Sequence, residues 1–308
     1  MPVGMIQGES SETYHASPDL SHSKLEDFRF REAYFHGRHV IKTIPVERTK
    51  PLVTGAALHC YGLEGIEAFN RQFAVVPEDA PKRPSVAQLR AKNPSAESLA
   101  AIQYWHDFKA AASGREIIDA DTFALIKRLS DAILSNAFAA DLMTAPGVHS
   151  EVTFRTPPLR GFPVGVQCKA DQYNPLGCER SAGVPYAVDL KSCEDLNKWG
   201  KQYFDYGYYR QGAFYRTTIK TVAALEQKPE CNEVERFFFV AFEKQEPHGV
   251  TVFEADQISL AEGLRENTET LAQLRHCFEA NRWLAGKEFS SVGLPPWKLA
   301  EIARRENA

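Results

Sequence analysis

The period of the apolar residues changes near residue 150, and that change limits the possible folds more than any other feature of the chain. Upstream the spacing is helical. "LSHSKLEDFRFREAYFHG" (20–37) offers Ser21 or Ser23 as an N-cap and Gly37 as a stop. "TGAALHCYGLEGIEAFNRQF" (54–73) carries an apolar face through Ala57, Leu58, Tyr61, Ile66 and Phe69. Two further helical stretches follow at 96–114 and 119–143. Before them, 76–98 holds four prolines among charges and reads as a mobile surface loop. Downstream the period is two: "EVTFR" (151–155), "FPVGVQCKADQY" (162–173) and "YAVDLKS" (186–192) alternate apolar with polar residues between Pro and Gly breaks. One long helix (194–225), two strands (236–245 and 250–256) and a last helix (257–286) complete the order. This predicts an α/β or α+β core, a mixed central sheet flanked by helices with an N-terminal helical extension. Residues 1–13 are expected to be a flexible terminus and 14–308 one domain, mainly helical over 14–145, with the core in 146–308.

Composition excludes several classes. No run of about 18 apolar residues exists, so no transmembrane helix is expected. The start, "MPVGMIQGESSETYH", lacks a basic region followed by an apolar one, which argues against a secretory signal. Cysteines at 60, 168, 178, 193, 231 and 277 form no CxxC pair, which fits free thiols in a reducing cytoplasm. The formal charge of −4 excludes a chain basic all over, but a local basic channel can still bind phosphates.

The chemistry concentrates on the strands. Acid-x-Lys occurs at Asp107/Lys109, Asp189/Lys191 and Glu226/Lys228. The first lies in a helical stretch and the third beside a proline near a helix end, where solvated surface charges are expected. Only Asp189 and Lys191 lie on an apolar strand, where alternation points both side chains to one face. Asp171 ends the preceding strand and Glu151 begins the one before it. Three acids on neighbouring strands repel unless a cation sits among them, and carboxylate oxygens suit Mg²⁺ or Mn²⁺. A nearby lysine then polarises water or steadies charge on a phosphodiester under attack. The plainer alternative is a strand-end salt bridge. Gln211 and Tyr215 share one helix face. Lys198, Lys201, Arg210 and Arg216 are interleaved there with Trp199, Tyr203, Phe204, Tyr206, Tyr208, Tyr209 and Phe214. Most of those aromatics read as core, yet cations among aromatics also suit a phosphate backbone. His59 alone implies no ligand role.

Taken in order, "GAALH" (His59), "SEVTF" (Glu151), "KAD" (Asp171), "DLK" (Asp189, Lys191) and "QGAFY" (Gln211, Tyr215) resemble the PD-(D/E)XK nuclease superfamily in its RecB-like branch. Within the branch the chain is most similar to the RecE, or exodeoxyribonuclease VIII, nuclease family and its phage relatives. That likeness includes "YHASPDLSHSKLEDF" and covers most of residues 14–300. Ala170 stands where the superfamily's name has proline.

The resemblance implies a restriction-endonuclease-like core and a Mg²⁺-dependent 5′–3′ exonuclease on linear duplex DNA, with Mn²⁺ substituting. Its product would be a 3′ overhang for a RecT-like annealing protein. It also implies a toroidal trimer or tetramer and a cytoplasmic, bacterial or phage-encoded protein. Cys231 and Cys277 do not make the cluster that iron–sulfur members need, so no such centre is expected. Metal ligands by resemblance are Asp171, Asp189, the Leu190 carbonyl, His59 and Glu151. Lys191 would act on the nucleophile or transition state, and Gln211 and Tyr215 would orient it or touch the DNA. Lys198, Lys201, Arg210 and Arg216 are candidate DNA contacts. An endonuclease on the same core, or a DNA-binding module with a vestigial site, are the competing expectations.

Overall fold

The computed structural model describes residues 1–286 and 292–306, so 287–291 and 307–308 of the expected domain lie outside the described residues. Among the described residues, eight strands form two sheets: β1 (Gly4–Ile6), β2 (Phe73–Val75), β3 (Glu116–Ile118), β4 (His149–Arg155), β5 (Gln167–Asn174), β6 (Tyr186–Cys193), β7 (Arg236–Glu243) and β8 (Val250–Glu254). The large sheet has the order β1-β4-β5-β6-β7-β8, antiparallel throughout except for the parallel pair β6–β7. The helices between β6 and β7 supply the crossover that a parallel pair needs. β2 and β3 form a separate parallel pair.

Helices cover both faces of the sheet. Val188, Leu190, Phe238 and Val240 pack with Leu58, Ile126 and Leu142 from the helices Lys50–His59, Ala120–Ser135 and Ala137–Thr144. Ala187, Phe237, Phe239 and Ala241 pack in a second core with Phe214 and Ile219 of Tyr208–Glu226. Leu274 of Gln257–Ala280 and Leu25 of His22–Phe30 complete that layer. Burial from both sides explains the unbroken apolar run "FFFVAF" of β7. Each of its fully buried phenylalanines contributes roughly 1.5–3 kcal/mol.

Several expectations change. Residues 1–13 are not a loose terminus: Gly4–Ile6 pairs antiparallel with β4, and Ser11–Ala16 is helical. The cause is Arg155, which is 1% exposed and must find partners inside. Its guanidinium donates to the Pro2 carbonyl (3.2 Å), to Glu9 Oε1 (3.0 Å) and to Gln167 Oε1 (2.8 Å). Glu226, expected as a solvated charge, accepts from the Met5 amide at 2.8 Å and pins β1 from behind. Gly4 permits that approach, because at its φ of +116° a Cβ would fall 2.1 Å from Glu226 Oε1.

Gly37 does not stop the first helix. Ser21 caps it as expected, but it ends at Phe30, after which Arg31 is extended and a short helix runs on into a π-turn at His36–Val40. The 54–73 stretch is likewise divided, by the π-turn Cys60–Glu64, and Ile66 is 49% exposed rather than on the apolar face. The loop 76–98 contains the helix Val86–Arg90. The long helix at 194–225 breaks at Gly207, whose φ of +64° separates Trp199–Asp205 from Tyr208–Glu226.

Candidate active site

Two strands opening apart create the site. β5 and β6 pair through Asn174↔Tyr186, Tyr173↔Ala187 and Gln172↔Val188, and the ladder stops there. Asp171 and Asp189 would be the next opposed pair. The Leu190 amide instead donates to Asp171 Oδ2 at 2.7 Å, so the carboxylate takes the place of a strand partner. On the other side of β5, β4 loses its regular geometry at Glu151, whose φ is +52°. A left-handed non-glycine residue inside a strand costs on the order of 1–3 kcal/mol and persists only where its surroundings enforce it. This one sits opposite Asp171 in the register, between Ser150↔Gln172 and Val152↔Ala170.

His59 arrives from the far side, as the last residue of Lys50–His59 at the junction with the π-turn. Its Nδ1 lies 3.4 Å from Asp171 Oδ1 and 3.5 Å from Glu151 Oε1. Ligand atoms of His59, Glu151 and Asp171 all fall within 4.8 Å of one another. Lys169, which the sequence reading passed over although it lies in the same "KAD", stands 3.0 Å from Glu151 Oε2 and donates to the Glu9 carbonyl. Alternation two residues from Asp171 was the available signal.

Asp189 is nearly enclosed, with its side chain 4% exposed. Gln211 Nε2 donates to its Oδ1 at 2.6 Å, and Lys191 Nζ lies 2.5 Å from its Oδ2. Despite that ion pair, Asp189 Oδ2 makes no hydrogen bond of regular geometry. Lys191 also lies over the ring of Tyr208, 5.1 Å from its centroid, a contact the sequence did not single out. Tyr215, one turn beyond Gln211, packs its ring edge-on to Phe237 at 5.8 Å.

Burial and the mutual pairing of acids with His59 and Lys191 set the electrostatics of the cluster. Burial raises the Asp189 carboxyl to about 6, against the pull of the Lys191 ammonium and with the push of Asp171. Burial would raise Asp171 too, but His59, Lys191 and the Leu190 amide hold it below the usual carboxylate range. Burial would lower His59, yet Asp171 and Glu151 lift it well above an ordinary imidazole. Burial likewise opposes the Lys191 ammonium, which Asp189 and Asp171 sustain above the usual lysine range. Tyr215 is raised far above an ordinary phenol by burial and by Tyr14, Asp189, Cys168 and Asp171 around it.

A divalent ion fits this donor set. The buried Asp189 Oδ2 lacks a regular hydrogen bond, and the other donors are carboxylate oxygens and one imidazole, the chemistry that Mg²⁺ or Mn²⁺ accepts.

The cationic residues expected to meet DNA divide into two kinds. Lys198 and Lys201 are exposed on the Leu196–Asp205 segment, paired with Asp195 at 3.1 Å and with Asp205. Arg210 has a side chain only 15% exposed. It is locked between Glu26 (2.9 Å) and Glu266 (2.9 Å), because a guanidinium this far from water needs carboxylates. Arg216 donates to the Val234 carbonyl and to Gln257 Oε1, on a different face of the helix from Gln211. Of the look-alike triplets, Asp107 is an exposed acid held by Gln103.

Residues 21–287 match the family described as a PDDEXK-like domain of unknown function (DUF3799). The chain belongs to that family. A solved structure of a candidate exonuclease from Eubacterium rectale superposes with a TM-score of 0.55 at 16% identity, covering 92% of this chain and 97% of that one. At such identity the likeness concerns the fold, which the PDDEXK-like domain shares with it. No curated protein matches the chain. No helix among the described residues is long and apolar enough to cross a membrane.

Proposed function

We propose that this PDDEXK-like domain is a divalent-metal-dependent nuclease of the RecB-like branch that digests linear duplex DNA from its ends, 5′ to 3′. One observation carries the reading: Asp171, Asp189, Lys191 and Gln211 meet where the β5–β6 ladder opens, with His59 and Glu151 beside them. Asp171, Asp189, His59 and Glu151 would hold the ion, and the Leu190 carbonyl adds an oxygen on the same strand. When bound, the ion would polarise the phosphodiester and activate water. Gln211 fixes the Asp189 carboxylate, so that its second oxygen keeps one direction. The Lys191 ammonium, sustained by two acids, faces the negative charge that grows on the phosphoryl oxygens as the P–O bond breaks. Tyr208 limits its wandering from below.

The exonuclease reading draws on the likeness to RecE-type enzymes and on the description of the Eubacterium rectale protein. Its 3′ overhang would suit a single-strand annealing partner, and a ring of copies would gather the scattered cations around one duplex. Linear duplexes labelled at either 5′ or 3′ ends, with Mg²⁺ or EDTA, test the proposal. Loss of 5′ label into mononucleotides only with Mg²⁺ is expected. Equal cutting of closed circular DNA would replace it with an endonuclease, and turnover in EDTA would remove the metal.

A further inference from the structure

The aromatic residues around the Gly207 break separate by exposure. Trp199 and Tyr209 are buried, whereas Phe204 and Tyr206 are 68% and 61% exposed. Phe204 lies flat against Tyr209, with centroids 6.0 Å apart and planes 4° from parallel, so one of its faces is backed by protein. Tyr206 is 5.8 Å from Tyr208, the ring over which the Lys191 ammonium sits. A single ring therefore separates an exposed aromatic from the candidate catalytic lysine.

The turn that displays these rings is held firmly. At Gly207 a Cβ would fall 2.2 Å from the Arg210 guanidinium, and Arg210 is anchored between Glu26 and Glu266. On the same segment Lys198 and Lys201 keep three-quarters of their side chains in solvent. Their carboxylate partners are themselves partly exposed, and such pairs exchange readily for a phosphate.

We propose that Phe204 and Tyr206 form a stacking platform for the nucleobases of the strand whose phosphodiester lies at Lys191, with Lys198 and Lys201 against its phosphates. This rests on the nuclease reading and adds its substrate surface, an unpaired stretch of DNA beside the cut. Every base offers a π-face, so the platform holds a strand regardless of sequence. It also presents a strand end to the metal site without base-specific contacts.

The test uses the full chain and a short single-stranded oligonucleotide containing 2-aminopurine, whose fluorescence falls on stacking. Binding is read in EDTA and cleavage of linear duplex in Mg²⁺. Wild type should bind with quenching. The Phe204→Leu/Tyr206→Leu pair should lose about tenfold or more in affinity together with the quenching. Phe204→Tyr/Tyr206→Phe should retain both, separating stacking from a folding defect. Leucine variants that bind and quench like wild type overturn the platform, whatever the cleavage result. So does sedimentation showing that the leucine pair dissociates an oligomer while quenching persists, since the rings then face a second copy. Ring-dependent quenching without cleavage by wild type supports the platform and removes the nuclease reading instead.

Discussion

Lys191→Met isolates the electrostatic design of the site, because it removes one ammonium and almost no volume. In the folded chain Lys191 faces two buried acids, Asp189 at 2.5 Å and Asp171 nearby. Removing one partner of a buried ion pair costs about 3–5 kcal/mol, the penalty of the charge left behind. Here the lysine side chain is 21% exposed and Asp189 keeps its hydrogen bond from Gln211, so the lower end, about 3 kcal/mol, applies. For a chain of this size that lowers Tm by about 5 °C. The distinguishing outcome concerns metal. A divalent ion placed between Asp171 and Asp189 supplies the missing positive charge, so saturating Mg²⁺ should recover more than half of the loss. Cleavage should stay depressed by about 10²–10³-fold, because the ion does not replace the ammonium at the phosphate. Differential scanning fluorimetry in EDTA and in Mg²⁺, with end-labelled duplex for turnover, measures both. A variant as stable as wild type in EDTA would refute the charge argument. A loss untouched by Mg²⁺ would refute the placing of the ion.

Other outcomes follow from single residues. At Glu151, with φ +52°, glycine should be more stable than alanine by about 1 kcal/mol in urea titrations, since only glycine is unstrained there. Both variants should lose the Mg²⁺-induced rise in Tm. Arg210→Met should destabilise by about 1–2 kcal/mol, because it unpairs two partly exposed carboxylates while Glu26 keeps Arg29 and His22 and Glu266 keeps the Tyr209 hydroxyl. It should leave the salt dependence of DNA binding unchanged, in contrast to Lys198→Ala or Lys201→Ala, each lowering the slope by about one phosphate. Lys24 donates to the Ser17 and Asp19 carbonyls, and burial lowers its ammonium to about 8 from 10.5. Between those values the unfolded chain binds a proton that the folded chain has released, so stability rises with pH. Comparing wild type with Lys24→Met at pH 7.5 and pH 10 should show the wild type gaining by up to about 3 kcal/mol.

Local pattern and tertiary placement contributed differently to this protein. The alternation in "YAVDLKS" and "EVTFR" sufficed to mark strands, and it set an acid and a lysine two apart on one face of a buried strand. Both readings depend on a period of two within a few residues. The same rule separated Asp189 from Asp107, whose helix leaves it in water. What lies beyond that reach is decided by contacts distant along the chain. Met5 and Glu226 are 221 positions apart, so the polar opening residues gave no sign of joining the sheet. The left-handed turn at Glu151 is imposed by neighbouring strands against the residue's own preference, and no local signal foretells a strained backbone. In the aromatic-rich 194–225 stretch, composition alone could not tell core from surface. The break at Gly207 buried Tyr209 and turned Phe204 and Tyr206 outward, and two glutamates from other elements took Arg210. The sequence by itself determined which residues carry the charge and on which elements they ride. Only the tertiary structure decided which charges share a partner, because burial and pairing are properties of the space between elements.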